Sequence, residues 1–225
     1  MIGIIGAMDI EVDALKKLIG NKTPKTVSGV EFICGTMYGR DVAVAKCGVG
    51  KVNAALCAEA MITEFSPDLV INTGVAGSLT EELSVLDVAL AKAVVQHDFD
   101  LTCFGRKPGE IPDLGAEIHA DPAITLAIEG IVKGMGVKCR CGVIATGDRF
   151  IASEEEKTAL AERFGAIACE MEGGAIGHVC RVNKIPFAVV RAISDSADNP
   201  MDYETFSVKA ANLSANIIKS FIMSI

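Results

Sequence analysis

Short apolar runs alternate with longer amphipathic segments along most of the chain, a pattern typical of an α/β fold. Apolar runs of strand length occupy residues 2–6, 68–72, 87–96, 137–145, 166–168 and 186–193. Apolar residues recur at helical spacing in residues 9–19, 51–65, 121–135, 153–164, 171–182 and 201–225. Residues 31–38 and 41–46 predict a hairpin, and residues 97–115 hold prolines and glycines that break any period.

Local signals predict where several elements begin and end. Asp9 is predicted to cap the first helix, Asp121 the third, and Ser153 opens a capping box. The strand at residues 68–72 is predicted to end in the turn Asn72-Thr-Gly-Val-Ala-Gly77, whose small residues let a flat ligand approach the backbone. The predicted buried stripe of helix 51–65 is Val52, Ala55, Leu56, Ala58, Ile62 and Phe65.

Composition narrows the class of protein. No linker-like stretch interrupts the 225 residues, so we expect one domain over residues 1–225. Half the residues are apolar, only 5% are aromatic and none is Trp, which suits an Ala/Val/Ile/Leu core around a buried sheet. The net charge is −8 with scattered Lys and Arg, which disfavours nucleic acid and anionic membranes as main partners. We expect neither a signal peptide nor a membrane span.

The eight cysteines show no zinc-type spacing, and no paired histidines suggest a metal site. The closest pair, Cys139 and Cys141, lies on one face of a predicted strand and is interpreted as core. Reduced thiols in a cytoplasmic protein fit this usage best.

Acidic residues follow several of the predicted strands. Glu172 and Asp195 each close an apolar run, and in an open α/β sheet ligands bind at the carboxyl ends of strands. Carboxylates placed there are costly unless they are paired or used, so these two are the first candidates for chemistry. Glu11 and Asp148 follow other strands, and for both a structural role in a helix cap or first turn stays open.

Glycine-rich turns do not match the common phosphate-binding motifs. Gly48-Val-Gly50-Lys51 lacks the Ser or Thr and the earlier glycine of a P-loop, and Gly3-Ile-Ile-Gly6 is not the dinucleotide fingerprint. Tight packing of strand against helix is the simpler interpretation of each. The missing fingerprint also makes an NAD-dependent dehydrogenase a poor fit.

Six motifs in order carry a resemblance that covers the chain from the first strand to the last helix. The motifs are Gly3-Ile-Ile-Gly-Ala-Met8 with Glu11, Gly48-Val-Gly-Lys-Val52, Asn72-Thr-Gly-Val-Ala-Gly77, Gly147-Asp-Arg-Phe-Ile151, Glu170-Met-Glu172 and Arg191-Ala-Ile-Ser-Asp195. Together they resemble the 5′-methylthioadenosine/S-adenosylhomocysteine nucleosidases, members of the nucleoside phosphorylase-like family.

The resemblance implies a phosphorylase/hydrolase-like fold: α/β, with a central twisted mixed β-sheet, partly barrel-like, flanked by about six α-helices. It implies hydrolysis of an N-glycosidic bond, with Asp195 as the acid at N7, Glu172 stabilising the ribose and Glu11 orienting water. Burial should raise the pKa of Asp195 so that it can donate. The resemblance implies no metal and no organic cofactor.

Further site residues come from the same resemblance. It implies that the substrate contacts Ala7, Met8, Val75, Ala76, Gly77, Phe150, Ile151, Glu170, Met171, Arg191, Ser194, Ala197 and Tyr203. It also implies a homodimer in which Leu101, Phe104 and Pro112 cross to the partner subunit and close its 5′-alkylthio pocket; a loop packed on its own subunit is the alternative.

Two other functions stay open at this point. A purine nucleoside phosphorylase of the same fold would need arginines for phosphate, but the chain has no Arg before Arg40 and carries Glu11 after its first strand. An anion there repels phosphate and activates water, which favours hydrolysis. A non-catalytic adenine-nucleoside sensor would not need three acids. The sequence does not rank methylthioadenosine, S-adenosylhomocysteine, 5′-deoxyadenosine and 6-amino-6-deoxyfutalosine as substrates.

Overall fold

The structure is a computed structural model that describes residues 1–196 and 200–225, with side chains in the last helix from Tyr203 onward. Ala197, one of the predicted substrate contacts, lies outside the described residues. The remaining predicted site residues are all described.

Within these ranges the chain forms strands and helices in alternation. The strands are β1 (Ile2–Gly6), β2 (Gly20–Val27), β3 (Val30–Met37), β4 (Arg40–Lys46), β5 (Leu69–Ser78), β6 (Val88–Gln96), β7 (Ile118–His119), β8 (Cys139–Thr146), β9 (Ala166–Glu170) and β10 (Phe187–Asp195). The helices are α1 (Asp9–Leu18), α2 (Lys51–Phe65), α3 (Pro122–Gly134), α4 (Glu154–Phe164), α5 (Gly173–Asn183) and α6 (Pro200–Ser224). None of these helices is both long and apolar enough to span a membrane, as judged on the described residues.

The strands join in one mixed sheet, part of which closes into a five-stranded barrel. β5 pairs parallel with β10 and antiparallel with β9, and β9 pairs parallel with β8. β8 pairs parallel with β6, and β6 closes the ring by pairing antiparallel with β10. β1 pairs parallel with the first part of β5, Leu69–Asn72, and from β1 the sheet continues through β4 and β3 to β2. This architecture confirms the predicted α/β fold with a partly barrel-like sheet.

The two central strands, β5 and β10, are buried along their whole length. Helices cover both faces, and two apolar clusters separated by the sheet make up most of the core. A strand covered on both faces reads as a continuous apolar run, which is why these two were visible in the sequence. The carboxyl ends of β1, β5 and β10 lie at one edge, because these strands run parallel.

Near the amino terminus, one prediction was wrong and one strand was not predicted. The helix α1 is capped by Met8, whereas Asp9 is its first helical residue and pairs with Lys46 across 2.9 Å. The strand that was not predicted is β2, whose residues are polar and exposed along an edge of the sheet. An exposed edge strand needs no hydrophobic alternation, so it leaves no pattern to detect.

The predicted bounds of α2 are confirmed, but its predicted buried face was only partly right: Ala58 and Ile62 are buried and Ala55 and Phe65 pack against the core, whereas Val52 and Leu56 do not. Val52 is 79% exposed and Leu56 is 48% exposed, while Cys57 and Met61 are buried. The helix packs its small residues closely against α5. Since α2 carries apolar side chains nearly all the way round, spacing alone could not select the inward face.

Three strands extend further than predicted. β5 continues through the segment expected to be a turn and ends at Ser78. β9 includes Glu170, and β10 includes Asp195. These acids therefore sit on rigid strand ends rather than on loops, which suits a site that depends on fixed geometry.

Candidate active site

A cleft opens where β1, β5, β9 and β10 end. All of the predicted catalytic and substrate-contact residues in the described part of the chain line it: Ala7, Met8, Glu11, Val75, Ala76, Gly77, Phe150, Ile151, Glu170, Met171, Glu172, Arg191, Ser194, Asp195 and Tyr203. Val49, Arg149 and Cys169 also line it and were missed by the sequence analysis. The fold thus gathers residues from seven separate stretches of sequence around one space.

The residues predicted to serve a partner subunit lie away from this cleft. Phe104 is 80% exposed, Pro112 is exposed and Leu101 is half-buried. Their segment is irregular apart from one short 3₁₀ turn, Thr102–Phe104, as predicted from its prolines and glycines.

Glu11 is held in the first turn of α1 by backbone amides. Its Oε2 accepts hydrogen bonds from the N–H groups of Ala7 at 2.6 Å and Met8 at 3.0 Å, and its Oε1 accepts from Val75 at 3.0 Å. Gly74 makes this approach possible, because a Cβ there would collide with the Glu11 carboxylate. Three amides fix the carboxylate at the floor of the cleft.

A buried ion pair links two more strand ends. Arg191 on β10 donates to the carboxylate of Glu170 on β9, and both side chains are almost fully buried. The guanidinium also donates to Asn72 Oδ1 and, over 3.2 Å, to the carbonyl of Val75. Burial alone would lower the pKa of Arg191, but the surrounding carboxylates, Glu170 first, outweigh it and raise that pKa.

Glu172 sits immediately before α5, with two oxygens in different environments. Its Oε1 accepts from the backbone N–H of Gly50 at 2.9 Å, and its Oε2 lies 3.4 Å from Nη2 of Arg191. Burial raises the pKa of Glu172 to about 7, although Arg191 opposes this shift. The group therefore changes charge near neutral pH.

Asp195 ends β10 beside Ser194. The Ser194 hydroxyl lies 2.7 Å from Oδ1 of Asp195, and both residues are buried. This places a carboxyl with a hydroxyl partner at the cleft wall beside the end of β5, where Asp195 is in register with Gly77. A buried carboxyl in such a position can accept or deliver a proton within the cleft.

Two aromatic rings form an apolar part of the cleft wall. Phe150 and Tyr203 meet edge to face, with ring centroids 5.5 Å apart and planes at 79°. The Tyr203 hydroxyl donates to Sδ of Met8 over 3.4 Å, which ties the start of α6 to the loop before α1. An apolar wall of this kind suits a flat aromatic ligand.

The turn Gly48–Lys51 was interpreted most simply as tight packing of a strand against a helix, but it also donates hydrogen bonds to two carboxylates. Besides the Gly50 contact with Glu172, the N–H of Lys51 donates to Oδ1 of Asp148 at 2.7 Å. Asp148 thus acts as a cap for α2 from another loop, so the structural alternative is the correct one for this residue. Its own N–H donates to Asp98, which pairs with Lys51. The positive φ of Gly50, +97°, is a feature that only the fold reveals.

The cysteines are all free, as predicted. Cys169 lines the cleft, but burial raises its pKa strongly and leaves the thiol in its neutral form. Among the side chains that the structure describes, no group of three or more His, Cys, Asp or Glu is placed to hold a metal ion.

Comparisons with known proteins agree with this architecture. Residues 1–223 match the family model of the phosphorylase superfamily. A 5′-methylthioadenosine/S-adenosylhomocysteine nucleosidase from Shewanella sediminis is 39% identical over 221 residues, which cover 96% of each chain. The chain belongs to the 5′-methylthioadenosine/S-adenosylhomocysteine nucleosidase family.

Solved structures place the chain among these nucleosidases with equal clarity. The nucleosidase from Neisseria meningitidis, in complex with methylthio-immucillin-A, superposes with a TM-score of 0.96 at 34% identity, covering 100% of this chain and 99% of that one. A futalosine hydrolase from Helicobacter pylori also gives a TM-score of 0.96 at 34% identity, covering 100% and 97%. The nucleosidase fold is therefore shared by proteins with different named substrates.

Proposed function

We propose that this nucleosidase hydrolyses the N-glycosidic bond of 5′-methylthioadenosine and S-adenosylhomocysteine, giving adenine and a 5-thioribose sugar. Such a reaction serves methionine salvage and the recycling of S-adenosylmethionine by-products. The observation that carries the proposal is the convergence of three buried carboxyls, Glu11, Glu172 and Asp195, on one cleft with an apolar wall. Relatives of the same name, about 39% identical over the full chain, support the choice of substrate class.

Asp195 supplies the proton in the proposed mechanism. As the bond between N9 and C1′ breaks, its electron pair moves into the purine, and protonation at N7 makes the base a better leaving group. The Ser194 hydroxyl, 2.7 Å from Oδ1, orients the acid. The carboxyl must be neutral before the reaction so that it has a proton to donate.

Glu172 stabilises the ribose as positive charge develops at C1′. Its carboxylate accepts from the ribose 2′- and 3′-hydroxyls, and Met171 packs under the sugar. The negative charge of Glu172 stabilises the developing positive charge more strongly in this cleft than in water, because the site is largely shielded from solvent.

Glu11 orients and deprotonates the attacking water. Its carboxylate is fixed by three backbone amides, so it acts from a defined position on the floor of the cleft. The water oxygen bonds to C1′ and its proton passes to Glu11, which balances the proton given to the base by Asp195.

The remaining cleft residues bind the substrate in this proposal. Backbone groups of Ile151 contact the Watson–Crick edge of adenine, and Phe150 stacks on the ring. Tyr203 covers the ribose. The small residues Val75, Ala76 and Gly77, together with Ala7 and Met8, line the wall. Residues 1–225 form one nucleosidase domain in this view.

A phosphorylase is the second candidate, but the charges of the cleft disfavour it. Arg149 and Arg191 are the cationic side chains that line the described cleft, and Arg191 is already paired with Glu170. An incoming phosphate would meet the ionised Glu11 carboxylate at C1′. Repulsion between these anions favours water as the nucleophile.

We also propose that the active enzyme is a cytoplasmic homodimer. Val52 and Leu56 of α2 expose apolar surface. Phe104, which lies close in sequence to Leu101 and Pro112, is 80% exposed. A second copy seated on this surface would cover these side chains and bring the 101–112 segment to its 5′-alkylthio pocket. The eight free thiols fit a reducing compartment.

One chromatographic assay tests the reaction. The enzyme is incubated separately with methylthioadenosine, S-adenosylhomocysteine, 5′-deoxyadenosine and 6-amino-6-deoxyfutalosine, with and without phosphate. We expect adenine release from the first two at a rate that phosphate does not raise. Release of a sugar 1-phosphate only when phosphate is present would replace hydrolysis with phosphorolysis, and binding without turnover would indicate a sensor.

Size-exclusion chromatography with Leu56→Glu tests the homodimer. A charge on the exposed face of α2 should convert the dimer to monomer and raise KM for methylthioadenosine. Val208→Glu is the matched control, because Val208 is equally exposed but lies on α6. A monomeric wild-type enzyme with full activity would contradict the shared pocket.

A further inference from the structure

Glu170 was expected to contact substrate, yet protein donors occupy both of its oxygens. Oε1 accepts from the hydroxyl of Thr146. Oε2 accepts from the guanidinium of Arg191 and from the backbone N–H groups of Glu172 at 2.9 Å and Gly173 at 2.7 Å. A side chain that is only 2% exposed and already accepts four hydrogen bonds has little capacity left for a ribose hydroxyl.

The same contacts organise the first turn of α5. Thr146 donates to Glu170 and accepts from the N–H of Gly174 at 2.7 Å, so three successive amides are bound by these two side chains. The approach is close: a Cβ on Gly174 would lie 2.8 Å from Cβ of Thr146. A carboxylate at the N-terminus of a helix also interacts favourably with the positive end of the helix dipole. The backbone of Glu172 is thereby fixed.

Arg191 has two carboxylates within reach and contacts one of them more closely. Its Nη2 donates directly to Glu170, whereas Oε2 of Glu172 stays 3.4 Å away. If the charge of Glu170 were absent, the buried guanidinium would need another anion, because an unpaired buried charge is strongly unfavourable. Glu172 is the nearest candidate.

We propose that Glu170 is a positioning residue: by binding Arg191 and the first amides of α5, it keeps the Glu172 carboxylate free for the ribose. The inference rests on the proposed function, in which Glu172 stabilises the sugar. Glu170 itself then touches no substrate, and its effect on the reaction passes through Glu172.

Glu170→Gln is the variant that tests this role, since Gln keeps the size and removes the charge. We expect Arg191 to turn toward Glu172 and kcat for methylthioadenosine to fall about 10–100-fold, with KM changed less than threefold, as for loss of one charged hydrogen bond. Glu64→Gln, which removes a carboxylate from an exposed pair with Lys25, is the matched control and should keep wild-type kinetics.

The pH profile separates positioning from general destabilisation. The groups that face Glu172 are Arg191 from β10, Glu170 from β9, Glu11 from α1, the Gly50 amide ahead of α2, Cys47 and Tyr203. Removing the Glu170 charge and moving Arg191 closer both lower the pKa of Glu172. The acidic limb of kcat/KM should therefore move to lower pH in Glu170→Gln and not in Glu64→Gln.

Crystal structures of the wild type and of Glu170→Gln provide a readout that does not depend on turnover. In the variant, the long contact of 3.4 Å between Nη2 of Arg191 and Oε2 of Glu172 should shorten to about 2.8 Å, the distance of a strong charged hydrogen bond. If Arg191 did not move and the acidic limb of kcat/KM did not shift, the inference would be overturned. A rise in KM with unchanged kcat would also overturn it, because Glu170 would then be a substrate ligand. Should Glu170→Gln not fold, Thr146→Val, which removes one donor to Glu170, takes the same three measurements. A wild type without nucleosidase activity would refute the proposed function, while the crystal structures would still decide the contact.

Discussion

The backbone N–H of Gly50 donates a hydrogen bond to Oε1 of Glu172 over 2.9 Å, although 122 positions separate the two residues. This contact joins the start of α2 to the carboxylate that faces the ribose in the proposed mechanism. Gly50 can make it because its φ is +97°, a conformation that residues with a Cβ rarely adopt. The turn before α2 is thus part of the site.

Gly50→Ala should lower kcat for methylthioadenosine by about 10–100-fold, since a hydrogen bond to a charged group contributes about 1.5–3 kcal/mol. The added Cβ would also lie 3.0 Å from Oδ1 of Asp148 and force the turn to shift. Steady-state kinetics with adenine release as the signal provide the measurement.

Gly39→Ala is the control for Gly50→Ala. Gly39 also has a positive φ, +82°, but a Cβ there would meet nothing within 4 Å, and it lies in the turn between β3 and β4. Gly39→Ala should lower the stability of the folded protein through the same backbone strain and leave kcat unchanged. Equal kinetic losses in the two variants would mean that strain, and not the Glu172 contact, explains the effect.

Glu11→Gln and Asp195→Asn should each lower kcat by about 10²–10⁴-fold, which is the usual contribution of a general base or acid to the rate. Both substitutions keep size, so thermal unfolding should change little. Asp9→Asn, which removes an acid from an exposed pair beside Glu11, serves as the control and should keep its activity. Near-normal turnover by either catalytic variant would show that its role is assigned to the wrong residue.

The rate should depend on pH through Glu172. Its pKa lies at about 7 in the folded protein because of burial, and only the ionised form can stabilise the developing cation. We expect kcat/KM to fall as the pH drops through about 7, measured in buffers of constant ionic strength. A profile that stays flat down to pH 5 would contradict this role for the carboxylate.

Glu172→Gln should raise stability while it removes activity. A carboxyl whose pKa rises from 4.5 to about 7 on folding binds its proton more tightly in the folded state, so its ionisation costs stability as the pH rises through this interval. At pH 8 the full cost is present, and Gln should raise the free energy of unfolding by about 1–3 kcal/mol, or the Tm by about 3–10 °C.

The comparison of melting curves at two pH values checks the origin of that gain. At pH 4, where Glu172 is protonated in both states, the wild type and Glu172→Gln should melt at nearly the same temperature. A variant that is less stable than the wild type at pH 8 would show that the Gly50 and Arg191 contacts outweigh the cost of burying the charge.

Elements governed by local chemistry were predictable from the sequence. Asp121 caps α3 by accepting from two amides within three residues, and Ser153 caps α4 by accepting from the amide of Glu156. The buried strands β5 and β10 can be recognised in the sequence as continuous apolar runs. Glu172 and Asp195 stood out because each closes such a run, where a carboxylate is costly without a use.

Elements that depend on distant partners were not predictable. The polar edge strand β2 carries no periodic signal, and α2 offered two apolar faces of which packing on α5 chose one. Asp148 could have been a catalytic acid or a cap, and only its contact with Lys51 decided between them. The resemblance to a known family supplied residue roles, but not the pairing of Arg191 with Glu170.

The order of strands, helices and acidic strand ends was determined by the sequence itself, because hydrophobic periodicity and capping are interactions between near neighbours in the chain. Tertiary structure decided which carboxylate faces the cleft, which one neutralises Arg191 and which caps a helix. Those choices depend on distances between groups that lie far apart in sequence, and on the burial that only the closed barrel provides.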